Sequence, residues 1–343
     1  MTQTIPDSTI PDDLKQSEIY HSDITGAVGN TPLVRIRKMT VDRGIKCAVL
    51  AKLEFMNPMA SVKDRMVVWV IQDAIKQGKL KPGGTIIEAT SGNTGAAVAM
   101  FAAAHGYRAI LTLPDKTSEE KLNVIRAFGA KLIICPTEAP ADSAEHYYQV
   151  AKRIHKETPD SYFLEQYQNK KNIDAHYHTT GPEIWSQTRG SLTCIVGGIG
   201  TGGTLSGIAR YLKEKNKEIE VVAADPVGSI YFQYHKDRTL IDPDTYLVEG
   251  IGEDMICASI DMSVIDKVYQ VGDQECFDMT RELTRKEGIF AGGSSGAALC
   301  AALQHATGLP RESVVVVILP DSGMKYVSKL YNDDWMRKQG LST

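Results

Sequence analysis

Short apolar runs alternate with helical patterns along most of this chain, and that rhythm constrains its fold more than any other feature. Residues 47–53, 85–88, 108–113 and 131–135 read as strands. Residues 63–76, 94–105, 118–128 and 141–157 read as helices between and after them, with Ser118 as N-cap and Gly129 just past the helix end. The rhythm then returns, with strands at 193–196, 220–224 and 314–319 and helices at 175–188, 204–215, 274–287 and 295–306. Strands separated by helices of ten to fifteen residues imply βαβ units and a mostly parallel sheet. The two series, in 343 residues, imply two α/β lobes.

Bulk properties exclude several classes of function. A net charge of −4 without long like-charge blocks offers no general grip on nucleic acid or anionic membrane. The longest apolar runs, 96–104 and 314–319, are far shorter than the roughly 20 residues of a membrane span. The first 20 residues are polar and read as a loose arm without a secretory signal. Cys47, Cys135, Cys194, Cys257, Cys276 and Cys300 form no CxxC pair, and most lie in apolar surroundings. They read as reduced, buried thiols of a cytoplasmic protein, with no metal site.

In open parallel sheets, ligands sit outside the carboxyl ends of the strands, so the loops there carry the chemistry. Four stand out. Ser61-Val62-Lys63-Asp64-Arg65 puts a lysine at a helix start, where the macrodipole disfavours a cation. Thr90-Ser91-Gly92-Asn93-Thr94-Gly95, between strand and helix, can cradle a carboxylate or phosphate on amides and hydroxyls. Gly200-Thr201-Gly202-Gly203-Thr204 occupies the same kind of position. With Gly198 it also satisfies GxGxxG, and Asp225 follows 22 residues after Gly203, which leaves a nicotinamide oxidoreductase open at this point. Gly292-Gly293-Ser294-Ser295-Gly296 precedes the last long helix and can aim a hydroxyl at a buried heteroatom.

In this order the four loops resemble the β-replacement branch of the fold-type II pyridoxal-phosphate (PLP) enzymes, over residues 26–335. The resemblance implies a tryptophan-synthase-β-like fold of two three-layer α/β lobes with the active site between them. It implies an N-terminal arm over residues 1–30, a smaller substrate-loop domain over 55–168, and a larger PLP-binding domain formed by 31–54 with 169–343. Lys63 would carry the cofactor and shuttle the proton. Gly200, Thr201, Gly202, Gly203 and Thr204 would hold its phosphate, Asn93 its ring hydroxyl, and Ser294 would face its ring nitrogen. Thr90, Ser91, Gly92, Thr94 and Gln166 would hold the substrate carboxylate, with Tyr167 and Gly250 lining the pocket.

Val248-Glu249-Gly250-Ile251-Gly252, Asp225-Pro226 with Gly228-Ser229, Pro114-Asp115-Lys116 and Asn332-Asp333-Asp334-Trp335 are closer to the cystathionine β-synthases than to the cysteine synthases. That implies L-cystathionine formation from L-serine or O-acetylserine and L-homocysteine through an aminoacrylate. Glu249 would orient the homocysteine. Cysteine synthesis from O-acetylserine and sulfide is the neighbouring alternative. The sequence departs from the family at Met59-Ala60 and at Ile256-Cys257. It carries no haem segment before the core and no regulatory pair after it, so haem or adenosylmethionine control is not expected. A homodimer is expected from the resemblance. The mechanism leaves no role for the histidines, His176 among them.

Overall fold

The structure, a computed structural model, describes residues 21–140 and 142–343. The arm expected at residues 1–20, and residue 141 of the expected helix 141–157, lie outside the described residues. Two compact units emerge, with the division falling after Val28, within the helix Lys63–Lys76, and after Leu164. Residues 29–70 and 165–343 form the larger unit.

The larger unit is built on a six-stranded sheet. Its strands are β1 (Leu33–Arg35), β2 (Ala48–Leu53), β7 (Cys194–Gly198), β8 (Glu220–Pro226), β9 (Lys267–Val271) and β10 (Val314–Leu319), in the order β1-β2-β10-β7-β8-β9. All pairs are parallel except β1 with β2. Strand residues alternate between two cores. Val49, Ala51, Cys194, Val196, Val222, Ala224, Val315 and Val317 pack on one face, and Ile195, Val221, Ala223, Val316 and Ile318 on the other. Both faces are apolar because helices cover both, as parallel sheets require. The helices Asp273–Glu287 and Gly293–Ala306 feed the first core, and Thr180–Gln187 and Gly203–Lys215 the second.

The smaller unit holds a parallel sheet ordered β5-β4-β3-β6 from β3 (Thr85–Ala89), β4 (Arg108–Pro114), β5 (Lys131–Cys135) and β6 (Ser161–Phe163). Every residue of β3 is buried. The helices Asn93–His105, Glu119–Ala127 and Tyr147–Glu157 belong to this unit. Among the described residues, no helix is long and apolar enough to cross a membrane.

Local departures from the sequence reading have local causes. Ser118 stands at the N-cap position, but its buried hydroxyl makes no capping bond. The helix expected over 141–157 begins at Tyr147, where the His146 ring accepts from the Tyr148 amide. The helix expected over 175–188 is two, Lys171–His178 and Thr180–Gln187, broken where Thr179 leaves helical geometry (φ −121°) and bonds Ala175 O through its hydroxyl. The three-residue strands β1 and β6 are too short to carry a periodic signal, and β9 stands where no strand was expected.

Candidate active site

Lys63 opens its helix. The chain reaches it through Ser61, whose hydroxyl accepts from the Lys63 amide at 3.3 Å, and through an isolated bridge of Ser61 to Asp321. Two residues on, Arg65 is buried and clamped, with Nε 2.6 Å from Glu54 and Nη1 2.7 Å from Glu183. Lys52, also buried, reaches the same Glu183 at 2.8 Å. Breaking a buried pair of this kind leaves an uncompensated charge, so the lattice locks the turn that presents Lys63. Between them, the Asp64 carboxylate accepts from the Met59 amide at 2.6 Å, yet burial lifts its pKa to about 7.

The Lys63 amine is held below its usual range. Burial is the main cause, and the carboxylates of Asp321 and Glu253 pull the other way. A desolvated lysine is neutral more of the time, as both a carbonyl-binding amine and a proton carrier need. Glu253 is itself lifted to about 8, by burial and then by neighbouring Asp254. Asp321 is buried and accepts from the Tyr326 hydroxyl at 2.6 Å.

Lys63 lines a cavity together with Gly200, Thr201, Gly202, Thr204 and Gly250. Loop 200–204 follows β7 and opens the helix Gly203–Lys215, so its first amides have no intrahelical acceptor. Gly202 sits at φ +85°, and an added Cβ would lie 2.4 Å from Ile260 Cβ. At Gly200 a Cβ would stand 2.8 Å from Gly250 O, so only glycine lets the two loops approach this closely. The Thr201 hydroxyl accepts from Asn172 Nδ2 at 3.0 Å, and Thr204 Oγ1 lies 3.1 Å from His176 Nε2.

The same unit holds Ser294, Gln166, Tyr167 and Glu249. Ser294 is buried in the first turn of the helix Gly293–Ala306. Gln166 is buried; its carbonyl accepts from Asn172 and Ser259, and the Tyr167 carbonyl accepts from Ser259. Glu249 pairs with Lys329 at 2.6 Å. Thr90, Ser91, Gly92, Asn93 and Thr94 lie together in the smaller unit, in the loop after β3. There the buried Thr90 hydroxyl accepts from the Gly92 and Gly95 amides at 3.0 and 3.3 Å. Sequence reasoning passed over Asn172 and His176, which brace loop 200–204 from behind. They stand i, i+4 on the helix Lys171–His178, whose start lies four residues before the expected one.

A lysine amine and a glycine–threonine loop at a helix start share this cavity. The family model "Pyridoxal-phosphate dependent enzyme" matches residues 24–321. The chain belongs to that family, and its cofactor is pyridoxal phosphate; the dinucleotide reading of the glycine pattern is thereby set aside. It is 47% identical over 319 residues to a cystathionine beta-synthase of Apis mellifera, covering 93% of this chain and 63% of that protein. It is 41% identical to the O-acetylserine dependent cystathionine beta-synthase of Bacillus subtilis, covering 90% of this chain and 96% of that one. Among solved structures, an O-ureido-L-serine synthase superposes with a TM-score of 0.84 at 33% identity, covering 93% of this chain and 99% of the other. The chain spans about six-tenths of the length of the animal synthases it matches.

Proposed function

We propose that this chain catalyses a β-replacement, exchanging the hydroxyl of L-serine or the ester of O-acetylserine for the thiol of L-homocysteine to give L-cystathionine. The observation that carries the reading is the single cavity on which Lys63 and loop 200–204 meet. The names of the Apis and Bacillus relatives support the product, and the Bacillus name supports O-acetylserine as a donor.

Pyridoxal phosphate, when bound, supplies the electron-withdrawing chemistry that makes an amino acid's Cα proton acidic and its β-substituent a leaving group. Gly200, Thr201, Gly202, Gly203 and Thr204 would hold the phosphate, Asn93 the ring hydroxyl and Ser294 the ring nitrogen. Lys63 would hold the carbonyl carbon. Displaced from that carbon by the substrate's amino group, the freed Nζ would take the Cα proton, pass it to the departing β-group, then collect the thiol's proton as sulfur bonds to Cβ and return it to Cα. Burial of that amine keeps it neutral enough for the first of these steps. Thr90, Ser91, Gly92, Thr94 and Gln166 would orient the amino-acid carboxylate. Gly250 and Tyr167 would line the pocket, and Glu249 would orient homocysteine. The reading extends to a cytoplasmic homodimer, in keeping with six free cysteines, five of them buried.

The test is product analysis by mass spectrometry, with purified protein given serine or O-acetylserine and, separately, homocysteine or sulfide. Cystathionine from either donor supports the reading. Cysteine from sulfide with no cystathionine overturns it in favour of cysteine synthesis. Size-exclusion chromatography with light scattering checks the dimer.

A further inference from the structure

Behind loop 200–204 lies a histidine with both ring nitrogens engaged. His176 is 1% exposed; its Nε2 lies 3.1 Å from Thr204 Oγ1 and its Nδ1 2.8 Å from Thr180 Oγ1. Burial, then Arg65 and Lys63, hold the ring neutral against the pull of Glu183. A neutral imidazole owns one N–H, so it donates one of these bonds and accepts the other.

Two proton arrangements satisfy this chain of groups. In the first, Nδ1–H donates to Thr180, whose own proton is left for the Thr179 hydroxyl at a long 3.4 Å. Thr204 then spends its proton on Nε2 and turns only lone pairs to a ligand. In the second, Thr180 donates to Nδ1 at 2.8 Å, and Nε2–H donates to Thr204. The Thr179 proton is committed to Ala175 O at 2.7 Å in either case. The second arrangement avoids the long contact and frees the Thr204 proton to point at an acceptor. An anion on the loop favours it, because lone pairs facing an anion repel.

We propose that His176 is a positioning residue for the cofactor phosphate: fixed as its Nε2–H tautomer by Thr180, it orders the Thr204 hydroxyl as a donor toward that anion. The proposal rests on the reading that loop 200–204 holds the phosphate.

The experiment titrates apoenzyme with pyridoxal phosphate and, in parallel, with pyridoxal, which lacks the phosphate, following absorbance. Thr204→Val and His176→Leu should each weaken pyridoxal phosphate about ten- to a hundredfold, as expected for a hydrogen bond to a charged group, and leave pyridoxal unchanged. The double variant should be no worse than either single one. His176→Gln, whose side-chain amide can donate where Nε2–H does, should restore most of the affinity and the ³¹P resonance of the bound phosphate. Equal loss for both ligands, no loss in His176→Leu, or additivity with Thr204→Val overturns the proposal. A Thr204→Val variant with unchanged affinity overturns it through its premise, since the loop then does not hold the phosphate by that hydroxyl. Should His176→Leu not fold, Thr180→Val removes the donor to Nδ1 at constant shape. It should weaken pyridoxal phosphate several-fold and spare pyridoxal; an unchanged affinity there also overturns the proposal.

Discussion

Each unit ends a parallel strand in a loop of threonine and glycine and then begins a helix: loop 90–95 after β3 and loop 200–204 after β7. Their hydroxyls are used in opposite ways. In the smaller unit the Thr90 hydroxyl turns back on its own loop and takes two of its amides. In the larger unit Thr201 and Thr204 are tied from outside the loop, by Asn172 and His176. A loop that satisfies its own amides has fewer donors left for a ligand, which fits the proposed hold on a singly charged carboxylate. A loop braced from behind keeps its helix-start amides for the ligand and suits a resident dianion.

The largest effect belongs to Lys63, the amine on the braced loop's cavity. Lys63→Ala should lower turnover by at least roughly a thousandfold, since attachment and proton transfer are lost together. The visible absorbance of the bound cofactor should shift as well, while loop 90–95 is left intact. Steady-state rates and a visible spectrum check this; a variant within tenfold of the wild type would dissolve the assignment of roles between the two loops.

Next in size is Gly202→Ala. Both the positive φ and the 2.4 Å approach to Ile260 oppose a side chain, and together they should cost about 2–5 kcal/mol. Urea unfolding with and without pyridoxal phosphate measures it. A variant of unchanged stability would mean that the loop is not held rigidly from behind.

The contrast between the loops was only half visible in the sequence. Their composition and their placement between strand and helix stood out, because small polar residues and glycine at those points are more than a turn requires. Lys63–Lys76, Lys131–Cys135 and Val314–Leu319 were readable to the residue, since an uninterrupted apolar pattern marks both ends. The bracing was not readable. Asn172 and His176 meet the loop through tertiary packing, 29 and 28 residues away in sequence, and a lone buried histidine has no local pattern. The same holds for the carboxylates of Asp321 and Glu253 around Lys63, which are brought there by chain reversal alone.

Acid separates the units by a third route. In the larger unit burial pushes Glu183 up, but its bonds to Arg65 and then Lys52 more than reverse this, leaving its pKa at about 2. The folded value lies below the unfolded one. The stabilisation is therefore fully present above about pH 4.5 and is lost as pH falls toward 2, amounting to roughly 3 kcal/mol at most. Glu183→Gln should flatten that part of the acid limb of stability, read as denaturant midpoints at stepped pH. An acid limb identical to the wild type would show that the lattice under Lys63 does not set the unit's acid sensitivity.

The smallest effect sharpens the comparison at the loop that touches the braced one. Gly250 packs against Gly200, and its neighbour Glu249 pairs with Lys329 with both side chains about a quarter exposed. Partly exposed pairs of this kind contribute little, so Glu249→Gln should change stability by less than about 1 kcal/mol. If its carboxylate orients homocysteine, KM for homocysteine should rise several-fold while the donor's KM and the rate with sulfide stay put. That split separates a specificity role from a tether: sulfide carries no amino group for a carboxylate to hold, whereas a loosened Gly250 loop would disturb Gly200 and affect both acceptors alike. An equal rise for both would make Glu249 a tether of the Gly250 loop through its pair with Lys329.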